Sequence, residues 1–236
     1  MHTVLNAPEN PARGTYSEKK SEFIGEACHA GSLEEALDFV QTVRSRNPKA
    51  RHVAYAAVVG DSSQAHERMS DDGEPAGTAG RPVLNVLRQS GLTRCVIAVT
   101  RYFGGILLGS GGLIRAYSSA ASAAVAGAEL AKLVPAAVYG TVIDYPSYSQ
   151  LKHCITQSGG IVREERFTEK VRMVFAVASD RTEEFSRRID SAFRHAVTID
   201  TLEESYITVP IKVPGKAEPG TAGAGTAGIN TTCVTL

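Results

Sequence analysis

Residues 101–121 read RYFGGILLGSGGLIRAYSSAA, and this stretch predicts a strand, a glycine loop and the start of a helix in direct succession. An apolar run at 95–100 leads into it, and an alanine-rich run leads out of it. Five glycines lie between the two runs, at Gly104, Gly105, Gly109, Gly111 and Gly112. Glycine has no Cβ and reaches positive φ without strain, so this order suits a backbone that approaches another group closely.

The loop has the chemistry of an anion-binding site. A helix start carries N–H groups without intrahelical partners and a partial positive charge. Arg101 and Arg115 flank the loop, and arginine forms bidentate hydrogen bonds with phosphate. We therefore predict that both arginines, Ser110 and the five glycines bind a phosphate-containing ligand.

Close packing is the alternative explanation for these small residues, because a face of small side chains lets a helix approach a sheet. The small residues that recur at helical spacing are Gly112, Ala116, Ser119, Ala120 and Ala123. Two nucleotide-binding motifs do not fit. A Walker loop requires Lys-Ser/Thr where this chain has Ser110-Gly111. A dinucleotide fingerprint that begins at Gly109 requires a glycine or alanine at the position of Ile114.

Composition limits the class of protein. The 236 residues are 43% hydrophobic and 21% charged, which is ordinary for a soluble globular chain. The 25 basic and 25 acidic residues balance, which argues against nucleic-acid binding through bulk charge alone. Four widely separated cysteines without a CxxC pair predict reduced thiols. The sequence shows neither a signal peptide nor a run near the ~20 apolar residues of a membrane span. We expect a cytoplasmic protein with no membrane partner and no cofactor.

The N-terminal part of the chain predicts a loose arm over 1–15 and a first domain over 16–137. Its first helix lies between an N-cap at Ser32, with Glu35 completing a capping box, and a stop at Asn47-Pro48. The polar stretch 60–81 is predicted to be a long loop, and loops of this length are often functional. The other predicted elements are strands at 19–30, 52–59 and 94–100 and helices at 82–89 and 110–130.

The C-terminal part predicts a second domain over 138–209 and a flexible, Gly/Ala/Pro-rich tail over 210–236. The domain has the order βαββαβ, which is the ferredoxin-like arrangement. Its predicted strands are 138–145, 160–167, 171–178 and 197–209, and its predicted helices are 147–157 and 182–194. The fold class is therefore α+β, with two domains.

Three segments resemble the Impact family, and more narrowly its bacterial YigZ-like branch. They are ARHVAYA at 50–56, RMSDDGEPAGTAGRPVLNVL at 68–87 and RYFGGILLGSGGLIRAYSSAA at 101–121. The resemblance covers roughly residues 16–210. It implies that the N-terminal Impact domain is a ribosomal-protein domain-2-like α/β fold, and that the ferredoxin-like domain is similar to a domain of elongation factor G.

The resemblance also implies a role near translation. Eukaryotic members regulate translation by binding the activator of a kinase that senses amino-acid starvation, and bacterial members are described as ribosome- or RNA-associated. The implied partner is a ribosome, an RNA or a translation-associated protein. Some members are labelled proline dipeptidases, but this chain has no HExxH and no evident set of His and carboxylates for a two-metal site. We therefore expect a binding protein rather than an enzyme.

Further candidates flank the glycine loop. Asp71, Asp72, Glu74 and Arg81 lie in the polar loop, Arg51-His52 opens a strand, and Tyr102-Phe103 follow Arg101. We predict that they converge on one face, where the acids could hold Mg²⁺ beside phosphate and the aromatic rings could stack on bases. Ion pairing that orders the loop, and packing of the rings in the core, remain the alternatives.

A second hypothesis is an enzyme or binding protein for a phosphorylated or nucleotide-like small molecule. It rests on the fold, because certain small-molecule kinases share the superfold that the family resemblance implies and also place a glycine-serine loop at a helix start. Asp72 or His52 would then act as the base.

Overall fold

The computed structural model describes residues 1–60, 65–194 and 196–211. The chain divides between Lys132 and Leu133 into two compact units. Within its described residues, the first unit contains six complete strands and three helices. These are β1 His2–Val4, β2 Ala12–Glu18, β3 Ser21–His29, α1 Leu33–Arg46, β4 His52–Val59, β5 His66–Ser70, α2 Gly80–Gln89, β6 Cys95–Tyr102 and α3 Gly109–Gly127. The next strand, β7 Leu130–Ile143, runs across the division, so the predicted boundary after 137 falls inside a strand.

The first unit has three layers around an antiparallel sheet of order β2-β3-β6-β4-β5. Helix α1 covers one face, where Phe39, Val40 and Val43 pack against Val53 and Val96. Helices α2 and α3 cover the other face. The core on that side includes Phe23, Ala54, Val83, Leu87, Ile97, Val99, Leu113, Ala116, Tyr117 and Ala120.

Helix α1 begins where its cap was predicted. The Ser32 hydroxyl accepts a hydrogen bond from the Glu35 N–H at 3.1 Å. The Glu35 carboxylate accepts its return bond from the N–H of Gly31 at 2.8 Å, one residue before the position that a standard capping box uses. The helix ends at Asn47, whose N–H donates to the carbonyl of Arg44.

The alanine stripe of α3 serves packing. A Cβ on Gly14 of β2 would lie 2.3 Å from the backbone of Ala123, and a Cβ on Gly25 of β3 would lie 2.4 Å from the carbonyl oxygen of Ala120. Two glycines and the alanines therefore allow the helix and the sheet to approach more closely than larger residues would permit. Close packing against the sheet therefore explains the alanines of α3 in the small-residue pattern.

Two predictions about this unit are wrong. The arm predicted over 1–15 contains β1 and part of β2; β1 pairs with the first three residues of β7, and Thr3 and Val4 are fully buried. The loop predicted over 60–81 contains β5, an edge strand that pairs with β4. The sequence predicted neither strand, because β1 is only three residues long and β5 is largely exposed. Neither segment therefore shows the apolar alternation that is typical of a strand. Residues 61–64 of that loop lie outside the described residues.

The second unit confirms the predicted βαββαβ order. Its elements after β7 are α4 Tyr145–Gln157, β8 Ile161–Phe167, β9 Val171–Ala178, α5 Thr182–Phe193 and β10 Asp200–Pro210. Strand β9 lies between β7 and β8, and β10 pairs with β7. Both helices pack on one face of this sheet, around Leu151, Phe175 and Phe185. Apart from Pro210 and Ile211, the predicted tail lies outside the described residues.

Candidate nucleic-acid interface

Five strand ends meet at one edge of the first sheet. The register pairs Glu18 with Ser21, His52 with Arg101, and Tyr55 with Ser70. The β2–β3 turn, the loop after β5 and the loop after β6 therefore all leave from this edge, which we call the loop edge. The structure thus brings together the glycine loop and residues 71–79, between β5 and α2, which we call the acidic loop.

Asp71 organises the acidic loop from within. One carboxylate oxygen accepts hydrogen bonds from the N–H groups of Ala79 at 3.0 Å and Gly80 at 2.8 Å, and the other accepts from Gly77 at 2.8 Å. Burial on its own would raise the pKa of this carboxyl. The three amide donors and the nearby charge of Arg81 outweigh burial and hold the pKa below its usual value. Asp71 is thus a structural acceptor at the start of α2.

We expect Asp71→Asn to lower the free energy of unfolding by about 1–2 kcal/mol at neutral pH, the usual cost of a lost helix cap. The pKa of Asp71 is depressed in the folded state, so its stabilisation is complete above the unfolded-state pKa of about 4 and disappears as the pH falls through the folded-state value. Urea unfolding of both proteins at pH 7 and pH 3 tests this. A stability gap that does not shrink at pH 3 would show that the charge of Asp71 is not responsible.

Asp72 and His52 are linked across the same loop. The His52 Nδ1–H donates to the carbonyl oxygen of Asp72 at 2.7 Å. The Asp72 carboxylate accepts from the N–H of Val53 at 2.6 Å and pairs with Arg44 at 2.7 Å. Asp72 also has a left-handed backbone with φ +48°. Asp72 and His52, the two residues that the sequence offered as a catalytic base, therefore both have hydrogen-bond partners within the protein.

Glu74 and Arg101 form a buried ion pair at the loop edge. The Arg101 Nη1 lies 2.6 Å from Glu74 Oε1, and the two side chains are only 8% and 3% exposed. The hydroxyl of Tyr117 donates to the same carboxylate oxygen at 2.8 Å. Burial, together with the charge of Glu74, raises the pKa of Tyr117 well above its usual range, so the hydroxyl stays protonated. The pair therefore joins the acidic loop to β6 and to α3.

Arg101 also lies between two aromatic rings. Its guanidinium carbon is 5.5 Å from the ring centroids of both Phe23 and Phe103. The ring of Phe23 is buried in the core, whereas Phe103 is 48% exposed. We interpret Arg101 as a support for Phe103, because its guanidinium faces the protein interior rather than a solvent-exposed ligand.

Tyr102 and Phe103 have different partners. The Tyr102 hydroxyl donates to Asn47 Oδ1 at 2.8 Å, at the end of α1. Phe103 begins the exposed part of the glycine loop. The Tyr102 hydroxyl is thus engaged by α1, whereas the ring of Phe103 lies beside Arg101, and the stacking of either ring on a base stays a prediction.

The loop glycines divide into two kinds. Gly104 makes a close approach: a Cβ there would lie 2.0 Å from the carbonyl carbon of Lys20, and its N–H donates to the hydroxyl of Ser21 at 3.1 Å. Gly105 and Gly109 have positive φ values, +82° and +71°, with nothing within 4 Å of a built Cβ. Gly111 faces equally open space.

Helix α3 begins in this open part of the loop without a side-chain cap. The residue that precedes it is Leu108, whose apolar side chain cannot accept a hydrogen bond from the first turn. Ser110 is exposed and Gly112 is buried against Leu108. The start of α3 therefore keeps the partial positive charge that the sequence predicted.

Three predicted arginines lie on the surface. Arg115 is 70% exposed and only 3.9 Å from Glu18, the last residue of β2. Arg81 is exposed in the first turn of α2, near Asp71. Arg51 is exposed just before β4. Of these three, Arg115 extends over the same hairpin that Gly104 contacts.

The turn between β2 and β3 is a basic feature that sequence reasoning missed. Lys19 and Lys20 form a two-residue turn, and both are exposed. The prediction placed a strand start at 19, so it gave these two lysines no role. The available signal was the polar run at Ser17–Lys20 between two apolar-alternating segments, which a hairpin turn explains.

Other groups in the described part of the chain offer no obvious catalytic chemistry. Cys28, Cys95 and Cys154 are free and buried, and burial raises the pKa of Cys95 to about 12. Cys233 lies outside the described residues. Among residues 1–60, 65–194 and 196–211, no three His, Cys, Asp or Glu side chains are grouped closely enough to hold a metal ion.

Comparison with known proteins gives the family. Residues 19–125 match the Impact N-terminal domain, and residues 141–194 match a domain of unknown function, DUF1949. The chain is 34% identical over 199 residues to the IMPACT family member YigZ of Escherichia coli K12, which covers 84% of this chain and 97% of that protein. This chain belongs to the IMPACT family.

Two further matches agree with this membership. An IMPACT family member of Thermus thermophilus is 38% identical over 149 residues, which covers 63% of this chain and 79% of that protein. A solved structure described as that of a hypothetical protein is 31% identical, with a TM-score of 0.61, over 86% of this chain and 97% of the other. The sequence-based recognition of the Impact family and of two domains is therefore confirmed.

The Impact N-terminal match contains most of the loop edge. It begins at residue 19, at the lysine turn, and it includes the acidic loop, the glycine loop and α3 up to residue 125. None of the helices in the described part of the chain has the length and apolarity that crossing a membrane requires.

Proposed function

We propose that this IMPACT-family chain is a translation-associated protein that binds RNA, on ribosomes or in their precursors, through one surface of its first unit. We call this the glycine-loop surface and define it by Phe103, Leu107, Gly109, Gly111 and Arg115. Family membership supports the connection with translation, because the resemblance links eukaryotic members to translational control.

One observation carries the proposal: the glycine loop keeps apolar and cationic groups in solvent together. Phe103, the first residue after β6, is 48% exposed, and Leu107, which directly precedes Leu108 at the uncapped start of α3, is 82% exposed. Arg115 extends from the second turn of the same helix. An exposed ring offers a base a stacking partner, while backbone N–H groups and a guanidinium suit phosphate.

A phosphorylated small molecule is the second candidate, because the open space above Gly109 and Gly111 would admit a single phosphate as readily as a phosphodiester. The exposed side chains of Phe103 and Leu107 favour the larger ligand, since a lone phosphate would leave this apolar area in water. Thermal unfolding with inorganic phosphate and with a sugar phosphate, which carry no base, separates the two candidates, because only the small-molecule function predicts that such a ligand raises the melting temperature.

Sedimentation of the tagged protein from native lysate tests the proposal. We expect the wild-type protein to migrate with ribosomal particles at low salt, and to leave them after RNase treatment or at high salt. Phe103→Ala with Arg115→Gln should release it without unfolding, because both side chains are exposed.

A matched control removes the same residue types from the second unit, where Phe167 and Arg166 are also exposed. Phe167→Ala with Arg166→Gln should sediment like the wild type. Migration as a free protein under every condition, or equal release by the two double variants, would contradict the proposal.

A further inference from the structure

We infer that the lysine turn, Lys19-Lys20, supplies the main phosphate contacts of the proposed RNA-binding surface. The inference rests on the proposed function and goes beyond it. It assigns the electrostatic contacts to residues of the β2–β3 hairpin, rather than to Arg101, and it names a single-stranded phosphodiester backbone as the ligand.

The first observation is the backbone of the turn. Glu18 pairs directly with Ser21, so Lys19 and Lys20 alone connect β2 and β3. Their φ values are +47° and +66°, as in a type I′ turn. Such turns strongly favour Asn-Gly, because a Cβ is strained at positive φ, glycine has none, and asparagine tolerates this conformation better than most residues. The chain therefore has lysines at two positions where local stability favours other residues.

The second observation is the state of the two charges. Both lysines are exposed, and within the residues that the structure describes neither ammonium group forms an ion pair with a carboxylate. The nearest acids along the hairpin are Glu18, which already faces Arg115 at 3.9 Å, and Glu22, which is exposed. The turn thus presents two positive charges that the fold itself does not use.

The third observation is the connection to the glycine loop. The Gly104 N–H donates to the Ser21 hydroxyl, and the Gly104 backbone lies against the carbonyl group of Lys20. No residue with a Cβ would fit there without a shift, since that Cβ would lie 2.0 Å from the Lys20 carbonyl carbon. The turn and the loop are therefore held together, and the lysines extend from backbone that adjoins Phe103.

These features together fit a single strand of RNA. A base can stack on the exposed ring of Phe103, while lysine, a compact point charge on a flexible stem, contacts flanking phosphates without reading sequence. The long, flexible side chains of the two lysines allow both ammonium groups to reach phosphates of a flexible RNA backbone. We therefore expect binding that is strongly salt-dependent and only weakly dependent on base sequence.

The decisive variant is Lys19→Asn with Lys20→Gly in the full chain. It installs the preferred turn residues, so we expect a higher melting temperature than that of the wild type. Its affinity for a fluorescein-labelled 20-nucleotide oligo(U) RNA should fall. The slope of log K against log salt concentration should become shallower by about 1.4, from about 0.7 for each lost phosphate contact on a single strand.

Two controls separate charge from turn geometry. Lys19→Gln with Lys20→Gln should lose RNA affinity to a similar extent without the gain in melting temperature. Lys49→Gln with Lys132→Gln removes two exposed lysines elsewhere in the first unit, and it should keep the wild-type affinity and salt slope.

The outcomes distinguish this inference from the proposed function. Binding of the RNA by the wild type, with the same affinity and slope in the Asn-Gly variant, would overturn the inference and leave the proposed function standing. Absence of RNA binding by the wild type would overturn both. A single-stranded DNA probe of the same length should behave like the RNA if the phosphates are the contacts, and a DNA affinity that the lysine variants do not change would count against the inference.

Discussion

Glu74→Ala is expected to lower the free energy of unfolding by about 3–5 kcal/mol, the largest effect of any single substitution at the loop edge. The substitution leaves the Arg101 guanidinium buried without its carboxylate, and it removes the acceptor of the Tyr117 hydroxyl. Burying an unpaired charge costs far more than losing an exposed ion pair. Urea denaturation monitored by circular dichroism measures the change.

The surface pair Glu67–Arg88 is the matched control for this substitution. Arg88 Nε donates to Glu67 at 2.8 Å, but both side chains are substantially exposed. Glu67→Ala should therefore change stability very little. A double variant, Glu74→Leu with Arg101→Met, should recover much of the loss, because it removes the unpaired charge and fills the space with apolar groups. If Glu74→Ala lowers the free energy of unfolding no more than Glu67→Ala does, burial of the Glu74–Arg101 pair does not increase its contribution to stability.

Gly104→Ala is expected to destabilise the first unit by about 2–3 kcal/mol, in the range of an overpacked site, and to abolish RNA binding. The new Cβ would meet the backbone of Lys20 and Ser21, which cannot rotate away as the end of a flexible side chain could. The lysine turn and the glycine loop would therefore separate. Stability is read from denaturant unfolding and binding from the oligo(U) assay.

Gly111→Ala supplies the opposite control in the same loop. Nothing lies within 4 Å of a Cβ at Gly111, and the residue is helical. Alanine there should leave stability unchanged or raise it by roughly 0.5 kcal/mol, because it restricts the unfolded chain. If both variants lost the same stability, the effect would come from glycine flexibility in general rather than from contact between Gly104 and Lys20.

The α+β class and the second domain were predictable because their signals are local. Strand β9 and its partner helices have apolar residues at the expected spacing, and the cap of α1 is the four-residue pattern from Ser32 to Glu35. The glycine run likewise predicted a strand, a loop and a helix start, and that order is confirmed by β6 and α3. Each of these features depends on residues that are close in sequence.

The composition of the candidate site was harder to predict because its contacts are distant in sequence. Arg101 was expected to bind phosphate at the surface, yet the fold places it against Glu74, 27 residues away. Asp71 lies near Arg81, but the groups that donate hydrogen bonds to its carboxylate are backbone amides of its own loop. The lysine turn was overlooked, because only strand pairing shows that β3 begins after a two-residue turn.

The family, the order of most elements and the region of the candidate site can be predicted from the amino-acid sequence, since helical caps, apolar periodicity and long uninterrupted motifs are properties of neighbouring residues. Which charges are buried and which are exposed follows from tertiary packing. The packing of strands and helices buries Arg101 in the interior and leaves Lys19, Lys20 and Arg115 exposed to solvent.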